Sequence, residues 1–165
     1  MIRIGLFAAA CFFGPGLNAR IGESPVQCFN RYGKPQEGFA IGSKEPVTRK
    51  TYLKNDMLVR AYFRSGTSVK MEFQRMIKPN SAWSLRDEEI LALLEANGGE
   101  QKWVRKIHGN PLVEKAYWET QDGRLRAWLD ASGMVLSIED TKEDERRVQD
   151  AAELAKKDKR DLKGF

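Results

Sequence analysis

The sequence predicts an α+β fold of two tandem repeats, each a short helix packed on an antiparallel β-meander, followed by a charged C-terminal helix. Residues 115–129 read as a β-hairpin, because apolar and polar residues alternate on both sides of an Asp-Gly turn. Residues 59–73 echo it, with Ala-Tyr-aromatic, a Ser-Gly turn and an apolar strand in the same order. We therefore predict a first repeat over residues 20–78, a second over 79–140 and the helix over 141–165.

Residues 1–19 have the pattern of a secretory signal peptide. One early charge, Arg3, precedes an apolar run over residues 4–13, and a Gly-Pro-Gly breaker follows before the small residue Ala19. We predict cleavage after Ala19 and an exported chain, periplasmic or extracellular. The apolar run is shorter than the ~20 residues that a transmembrane anchor needs. Lipid attachment at Cys11 is an alternative.

The composition is that of a soluble globular protein, with 41% hydrophobic and 31% charged residues. The formal net charge of +5 is a mild cationic excess, which favours acidic proteins or anionic surfaces without naming a partner. Without the signal peptide, Cys28 is the only thiol, so the fold cannot depend on an internal disulfide. We expect Cys28 to be buried and inert, the alternative being a reactive or dimer-forming thiol.

The first repeat opens with a capped helix. Ser24 is the predicted N-cap, Pro25 the first helical residue and Gln27 the return partner of a capping box, and Gly33 ends the helix. The apolar stripe predicted to face the core consists of Val26, Cys28, Phe29 and Tyr32. Three strands follow in meander order, over residues 48–53, 57–64 and 68–77.

The second repeat has the same plan. Its helix is predicted to be capped at Ser84, to end at Gly98 and Gly99, and to bury the face formed by Ile90, Leu91, Leu93 and Leu94. Strands are predicted over residues 101–107, 115–120, 125–129 and 134–139. The last helix is acidic first and basic later, which complements its dipole. Its acidic cluster lacks the glycine and the alternation of a calcium loop, so we interpret it as the dipole-favoured start of the helix: Glu139, Asp140, Glu143, Asp144 and Glu145.

Short motifs in this chain resemble those of small bacterial envelope proteins. The Ile-Gly-x-Ser start at residues 21–24 and the Tyr-Gly-x-Pro stop at residues 32–35 are similar to the SmpA/OmlA and β-lactamase-inhibitor-protein types. The chain as a whole also resembles uncharacterised small exported bacterial proteins. The resemblance implies a helical segment against a sheet, once or in tandem, and a binding or scaffolding role without enzymatic activity. It carries over no functional residue.

The sequence contains no hydrolase, phosphate-loop or metalloprotease motif. His108 is the only histidine, and it stands in a turn without an accompanying nucleophile, so we interpret it as a surface imidazole. One histidine and one mature cysteine do not make a metal site. We therefore predict no catalytic residue, no metal and no cofactor. The alternative is an envelope enzyme of unknown class with carboxylates near His108.

Alternation along the strands predicts the surface most suited to binding. Ala61, Phe63, Trp118 and Leu125 are predicted to face the helices. The opposite face then presents arginines and aromatics, a composition typical of protein-binding surfaces: Arg60, Tyr62, Arg64, Tyr117, Arg126 and Trp128. We predict a non-enzymatic protein-binding or scaffold module of the bacterial cell envelope.

Three other interpretations of the charged and aromatic residues stay open or are disfavoured. The outward face can be an ordinary solvated sheet whose aromatics pack on cross-strand neighbours. Export argues against nucleic acid as a partner. A membrane-surface protein would instead use the basic end of the last helix, Lys156, Lys157, Lys159 and Arg160. The sequence leaves the partner, the oligomeric state and the number of sheets open.

Overall fold

The computed structural model describes residues 20–36, 47–77, 83–107 and 114–161. Within these ranges the chain has an α+β fold with one seven-stranded antiparallel sheet and three helices. The helices are α1 (Pro25–Tyr32), α2 (Asp87–Gly98) and α3 (Lys142–Asp161). The strands are β1 (Val47–Lys54), β2 (Met57–Arg64), β3 (Thr67–Arg75), β4 (Trp103–Lys106), β5 (Glu114–Thr120), β6 (Leu125–Asp130) and β7 (Val135–Asp140).

Several sequence predictions fall outside the described residues. They are the signal peptide with Cys11, most of the loop before β1, the connector at residues 78–82, and the turn that contains His108. None of the described helices combines the length and the apolarity that crossing a membrane requires.

The strand order is β1-β2-β3-β7-β6-β5-β4, so two meanders share one sheet. They join at its centre, where β3 pairs with β7 and Met71 lies opposite Ile138. Strands β1 and β4 form the two edges. The halves that the sequence distinguishes are therefore continuous through backbone hydrogen bonds, and the open choice between one sheet and two is resolved in favour of one.

Tight turns set the register of the first meander. Asn55 and Asp56 connect β1 to β2 with φ values of 49° and 62°, and Ser65 and Gly66 connect β2 to β3 with 50° and 77°. Two consecutive positive φ angles define the type I′ turn, whose twist matches that of paired strands. Asn, Asp and Gly tolerate this conformation best, which is why these hairpins form where the sequence places them.

The core lies on one face of the sheet, beneath α1 and α2. Phe63, Met71, Phe73, Leu136 and Ile138 are fully or almost fully buried there, as predicted for the inward positions of the strands. Leu125 is buried and Trp118 packs against the core cluster, which confirms both inward assignments. The backbone N–H of Ile21 donates to Oδ1 of Asn97 at 3.2 Å, so the segment before α1 is joined to the end of α2.

Helix α1 has the predicted capping box but a different buried face. The Ser24 N–H donates to the Gln27 side chain at 2.8 Å, and the Gln27 N–H donates to Ser24 Oγ at 3.3 Å. Cys28 and Tyr32, one turn apart, are buried, whereas Val26 is 67% and Phe29 50% exposed. The predicted stripe is therefore wrong in half its members, because only the Cys28 and Tyr32 edge of the wide apolar arc of α1 faces the core.

Helix α2 begins later than predicted. Its N-cap is Arg86, whose N–H donates to the Glu89 carboxylate at 2.9 Å, so Ser84 does not cap it. The buried Leu85 ahead of it donates its N–H to Gly133 O at 2.9 Å, which keeps the chain extended up to residue 86. Leu91 is 63% exposed, since it points away from the buried face.

Candidate functional site

The outward face of the sheet carries all six residues that the sequence nominates for partner binding. Cross-strand pairing puts Arg60, Tyr62 and Arg64 of β2 on the same side of the sheet as Tyr117, Arg126 and Trp128 of β5 and β6. This side is opposite the hydrophobic core. The alternation rule therefore predicts their placement correctly.

Four of these six side chains meet at the centre of the sheet and, together with the outward Lys70 of β3, form what we call the central platform: Arg60, Tyr62, Lys70, Arg126 and Trp128. Lys70 Nζ lies 5.2 Å from the centre of the Tyr62 ring and 5.4 Å from the centre of the Trp128 ring. The Arg126 guanidinium carbon lies 5.6 Å from the same Trp128 ring. Because cation–π attraction acts within about 6 Å, Lys70 joins two aromatic rings from opposite halves of the chain.

Carboxylates between the cations hold the platform in place. Glu72 bonds to Lys70 at 2.9 Å and accepts a hydrogen bond from the Tyr62 hydroxyl at 2.9 Å. Burial and the nearby Glu72 charge raise the pKa of Tyr62 to about 12. The phenol is thus a neutral donor over the physiological pH range.

A small residue and a buried ring support Trp128 from the neighbouring strands. Ser137 lies between Glu72 and Trp128 in the cross-strand row and is 5% exposed. Tyr117 lies opposite Trp128, but it is only 8% exposed and its hydroxyl donates to Glu119 at 2.8 Å. Tyr117 lies on the predicted face, yet it supports the platform more than it presents surface.

Arg64 is occupied by helix α3. Its Nε and Nη2 donate to the Glu143 carboxylate at 3.0 and 2.8 Å, and its Nη1 donates to Asp150 at 2.7 Å. These hydrogen bonds, those from Glu143 first, raise the pKa of Arg64. The guanidinium is therefore a structural anchor for α3 in this conformation.

Helix α3 rests on the sheet through charged residues. Glu143, Arg147 and Asp150 share one face of the helix, and Arg147 bonds to Glu139 of β7, which also accepts from Arg126 at 3.0 Å. Glu139 and Glu143 are 1% and 2% exposed. Glu143 lies in the first turn of α3 as predicted, whereas Glu139 belongs to β7, so its assignment to the start of the helix is wrong. Val148 is 70% exposed, and its apolar side chain does not contribute to the attachment.

The side of the sheet that is covered by α1 and α2 contains a buried polar cluster around Cys28. The Cys28 thiol donates to Glu23 at 3.8 Å, and Arg31 pairs with the same carboxylate. Burial, followed by the Glu23 charge, raises the pKa of Cys28 to about 12. The thiol is therefore buried as predicted and is protonated at neutral pH. Among the described residues, no group of three or more His, Cys, Asp or Glu residues is placed to hold a metal.

Sequence reasoning missed the residues that organise the site. Glu72, Ser137, Glu139 and Glu143 carry no motif, and the last two pair with arginines that are distant in sequence. The available signal was an acidic residue at an outward position of β3 and of β7. Its partner becomes evident only from the strand order.

Comparison with known proteins places this chain in no family. A scan against protein-family models found no match, and neither did a search of curated proteins. Among solved structures, a cysteine-rich secretory protein from Staphylococcus aureus is similar with a TM-score of 0.47 and 6% sequence identity. The match covers 74% of this chain and 45% of that protein, so the chain spans less than half the length of its structural neighbour.

Proposed function

We propose that this protein is a non-enzymatic binding module of the bacterial cell envelope that holds an acidic protein segment across the central platform. The observation that carries the proposal is the position of Lys70 between the rings of Tyr62 and Trp128. Tryptophan, tyrosine and arginine are the residues that most often dominate binding energy at protein interfaces, and Lys70 brings partly exposed examples of them together here. The export pattern of residues 1–19 supports the location.

The charge of the outward face supports an acidic partner. At the central platform three cations, Arg60, Lys70 and Arg126, pair with only two strand carboxylates, Glu72 and Glu139. This local excess has the same sign as the net charge of +5. A surface with such an excess attracts acidic segments and repels basic ones.

The platform is also preorganised. Tyr62 is fixed by Glu72, and Trp128 lies against Lys70, Arg126 and the small Ser137. A partner that binds there pays little entropy for ordering these side chains, so more of the contact energy contributes to affinity.

We also infer that the fold arose from two copies of one helix-and-meander unit, and that hairpin β2–β3 corresponds to hairpin β6–β7. Arg-Ala-Tyr-Phe over residues 60–63 is matched by Arg-Ala-Trp-Leu over residues 126–129. Arg60 lies opposite Glu72 at 3.6 Å, as Arg126 lies opposite Glu139 at 3.0 Å. This alignment differs from the echo between residues 59–73 and 115–129 that the sequence analysis used.

The contact between β3 and β7 supports the same inference. Lys70 pairs with Glu139 and Glu72 pairs with Ser137, around a central pair formed by Met71 and Ile138. A two-fold rotation that moves Lys70 to the position of Ser137 and Glu72 to the position of Glu139 places the Lys70–Glu139 pair on the Glu72–Ser137 pair. Every antiparallel strand pair has a local two-fold of this kind. What supports duplication is that the matching of Glu72 to Glu139 which it requires is the same as that given by the alignment of hairpin β2–β3 with hairpin β6–β7. On this view the platform is a duplicated surface with one aromatic from each copy.

Site-specific photocrosslinking tests the proposed function. We expect a benzoylphenylalanine in place of Tyr62 to form one discrete adduct with an acidic envelope protein in cells that produce this chain. Phe29 is the matched control, because it is an aromatic residue that is 50% exposed on α1, which packs on the other face of the sheet. The same replacement there should give no such adduct.

Two substitutions strengthen the experiment. Trp128→Ser and Lys70→Gln should each abolish the adduct from position 62 while leaving the circular dichroism spectrum unchanged. The proposal fails if the adduct survives both substitutions, if Phe29 yields the same adduct, or if the captured protein is basic.

A further inference from the structure

A cleft of about 600 Å³ lies at the end of the sheet, apart from the central platform. The segment before α1, the turn between β2 and β3, the start of β6 and the first turn of α3 converge there. Residues that line it include Ile21, Gly22, Ser65, Thr67, Arg124 and Arg146. A volume of this size is ordinary for a site that takes a small organic molecule.

One of the cations that line this cleft is already engaged, because Arg64 donates to Glu143 and Asp150. Asp140 also lines it and accepts the N–H of Lys142 at 2.9 Å, a neutral donor that does not offset its carboxylate charge, so the arginines that bind an anion here have to outweigh it. Ser68 is buried, and its hydroxyl donates to the carbonyl of Arg20. These residues form the wall of the cleft and do not supply its ligand-binding groups.

Two arginines line the same space with guanidinium groups that are far less constrained. Arg146 approaches Glu143 only at 3.8 Å, and that carboxylate already accepts three hydrogen bonds from Arg64. Arg124 is exposed, and within the described residues no salt bridge is formed by its guanidinium. The Asp122 carboxylate close to it in sequence accepts hydrogen bonds from the Thr120 hydroxyl and from the Arg124 backbone N–H.

The donors that remain match a phosphate group. Arg124 and Arg146 approach from different elements, the β5–β6 turn and α3, and the exposed Ser65 and Thr67 contribute hydroxyls from the β2–β3 turn. Arginine forks bind carboxylate and phosphate with two hydrogen bonds each. Two forks and two hydroxyls offer more donors than the two oxygens of a carboxylate accept, and a phosphate monoester presents three terminal oxygens.

We propose that this cleft binds the phosphate group of a small organic phosphate ester, held between Arg124 and Arg146 and by the hydroxyls of Ser65 and Thr67. The remaining volume accommodates the organic part beside Ile21 and Val69. The cleft includes no residue of the central platform, so the two proposals fail or succeed separately.

Titration of the full chain with glycerol 3-phosphate, followed by amide NMR shifts, tests the site. We expect saturable shifts confined to residues 64–69, 124 and 140–146. Arg124→Gln and Arg146→Gln should each raise the Kd about tenfold, since each removes a charge-assisted contact. Arg105→Gln is the matched control, because Arg105 is also exposed but belongs to β4 and lines no part of the cleft, and its Kd should be unchanged.

The source of the phosphate is distinguished by a second arm with vesicles that contain phosphatidic acid, a lipid whose headgroup is itself a phosphate monoester. Glycerol 3-phosphate binding that weakens in Arg124→Gln and Arg146→Gln supports a soluble ester as the ligand. Vesicle binding that weakens in the same two variants supports a lipid headgroup with the same phosphate chemistry. The proposal is overturned if neither probe binds saturably, if both cleft variants bind as tightly as the parent, or if Arg105→Gln loses as much affinity as they do.

Discussion

The hydroxyl of Tyr52 is a buried polar group without a hydrogen-bond partner in the described part of the chain, and the same holds for Tyr32. The ring of Tyr32, the last residue of α1, lies 5.5 Å from the ring of Tyr52 in β1. A buried hydroxyl that lost its water hydrogen bonds without gaining others costs about 1–3 kcal/mol. These phenols therefore occupy the core at a cost to stability.

We predict that Tyr52→Phe raises the free energy of unfolding by about 1 kcal/mol, because it removes the unsatisfied hydroxyl and keeps the ring. Tyr62→Phe is the matched control, since it deletes a hydroxyl that bonds to Glu72 at 2.9 Å, and it should lower stability by about the same amount. Urea denaturation of both variants measures the difference. Equal losses in both would contradict the prediction.

Alkaline pH should destabilise the fold through Cys28 and Tyr52. Burial raises the pKa of Cys28 from 9.0 to about 12 and that of Tyr52 from 10.0 to about 12. Above pH 9 the unfolded chain releases protons that the folded chain keeps, so the stability present below pH 9 is lost as the pH rises. The slope reaches about 1.4 kcal/mol per pH unit for each group.

The expected result is a free energy of unfolding that falls between pH 9 and pH 11. In the Cys28→Ala variant the free energy of unfolding should begin to fall nearer pH 10, because only the tyrosine phenols then release protons on unfolding. Equilibrium unfolding at half-unit intervals of pH measures both profiles. A flat profile, or identical onsets in the two proteins, would refute the role of the thiol.

Where its side chains are described, helix α3 is attached to the sheet by ion pairs. The Arg64 side chain is 13% and that of Glu143 3% exposed, so their charges are largely removed from water. Breaking such a pair by removing one partner costs about 3–5 kcal/mol, because the other charge remains buried. Replacing both with apolar residues leaves no buried charge.

We predict that Arg64→Leu releases α3 from the sheet, and that the double variant Arg64→Leu/Glu143→Leu recovers most of the lost attachment. Hydrogen exchange of the α3 amides measures the release, with protection falling in the single variant and returning in the double. Val148→Ser is the control, because Val148 is 70% exposed and should be neutral. Protection that is lost equally in the single and double variants would exclude the ion pair as the attachment.

At the level of elements, the sequence predicted strands better than helix faces. The bounds of β2 were predicted at residues 57–64 because its alternation is regular and turns stand on both sides. The buried face of α1 was mispredicted, since Val26 and Phe29 are as apolar as the residues that are buried.

At the level of the whole molecule, the outward position of the platform residues was predictable from the sequence, whereas the contact of α3 with the same face was not. The outward face follows from alternation alone, so the candidates were placed correctly. The charges of α3 look solvated in the sequence, because the partner of Glu143 is Arg64, which lies 79 positions away. Pairing over such a distance is determined by the strand order, which no local pattern contains.

The continuous sheet makes the whole molecule one cooperative unit, and this can be tested with its tryptophans. All 4 tryptophans lie in the second half of the chain, from Trp83 to Trp128. Phe73 of β3, in the first half, is fully buried and lies opposite Leu136 of β7. Because β3 and β7 share backbone hydrogen bonds, damage to the first half should be transmitted to the second.

We predict that Phe73→Ala lowers stability by about 3–5 kcal/mol, the usual cost of removing a buried phenyl ring. Tryptophan fluorescence and far-ultraviolet circular dichroism should report the same shifted midpoint in urea, although no tryptophan belongs to the half that was altered. Leu91→Ala, at a site that is 63% exposed, should move neither midpoint. If the halves folded independently, Phe73→Ala would leave the fluorescence midpoint in place and split the two transitions, which a single central sheet does not allow.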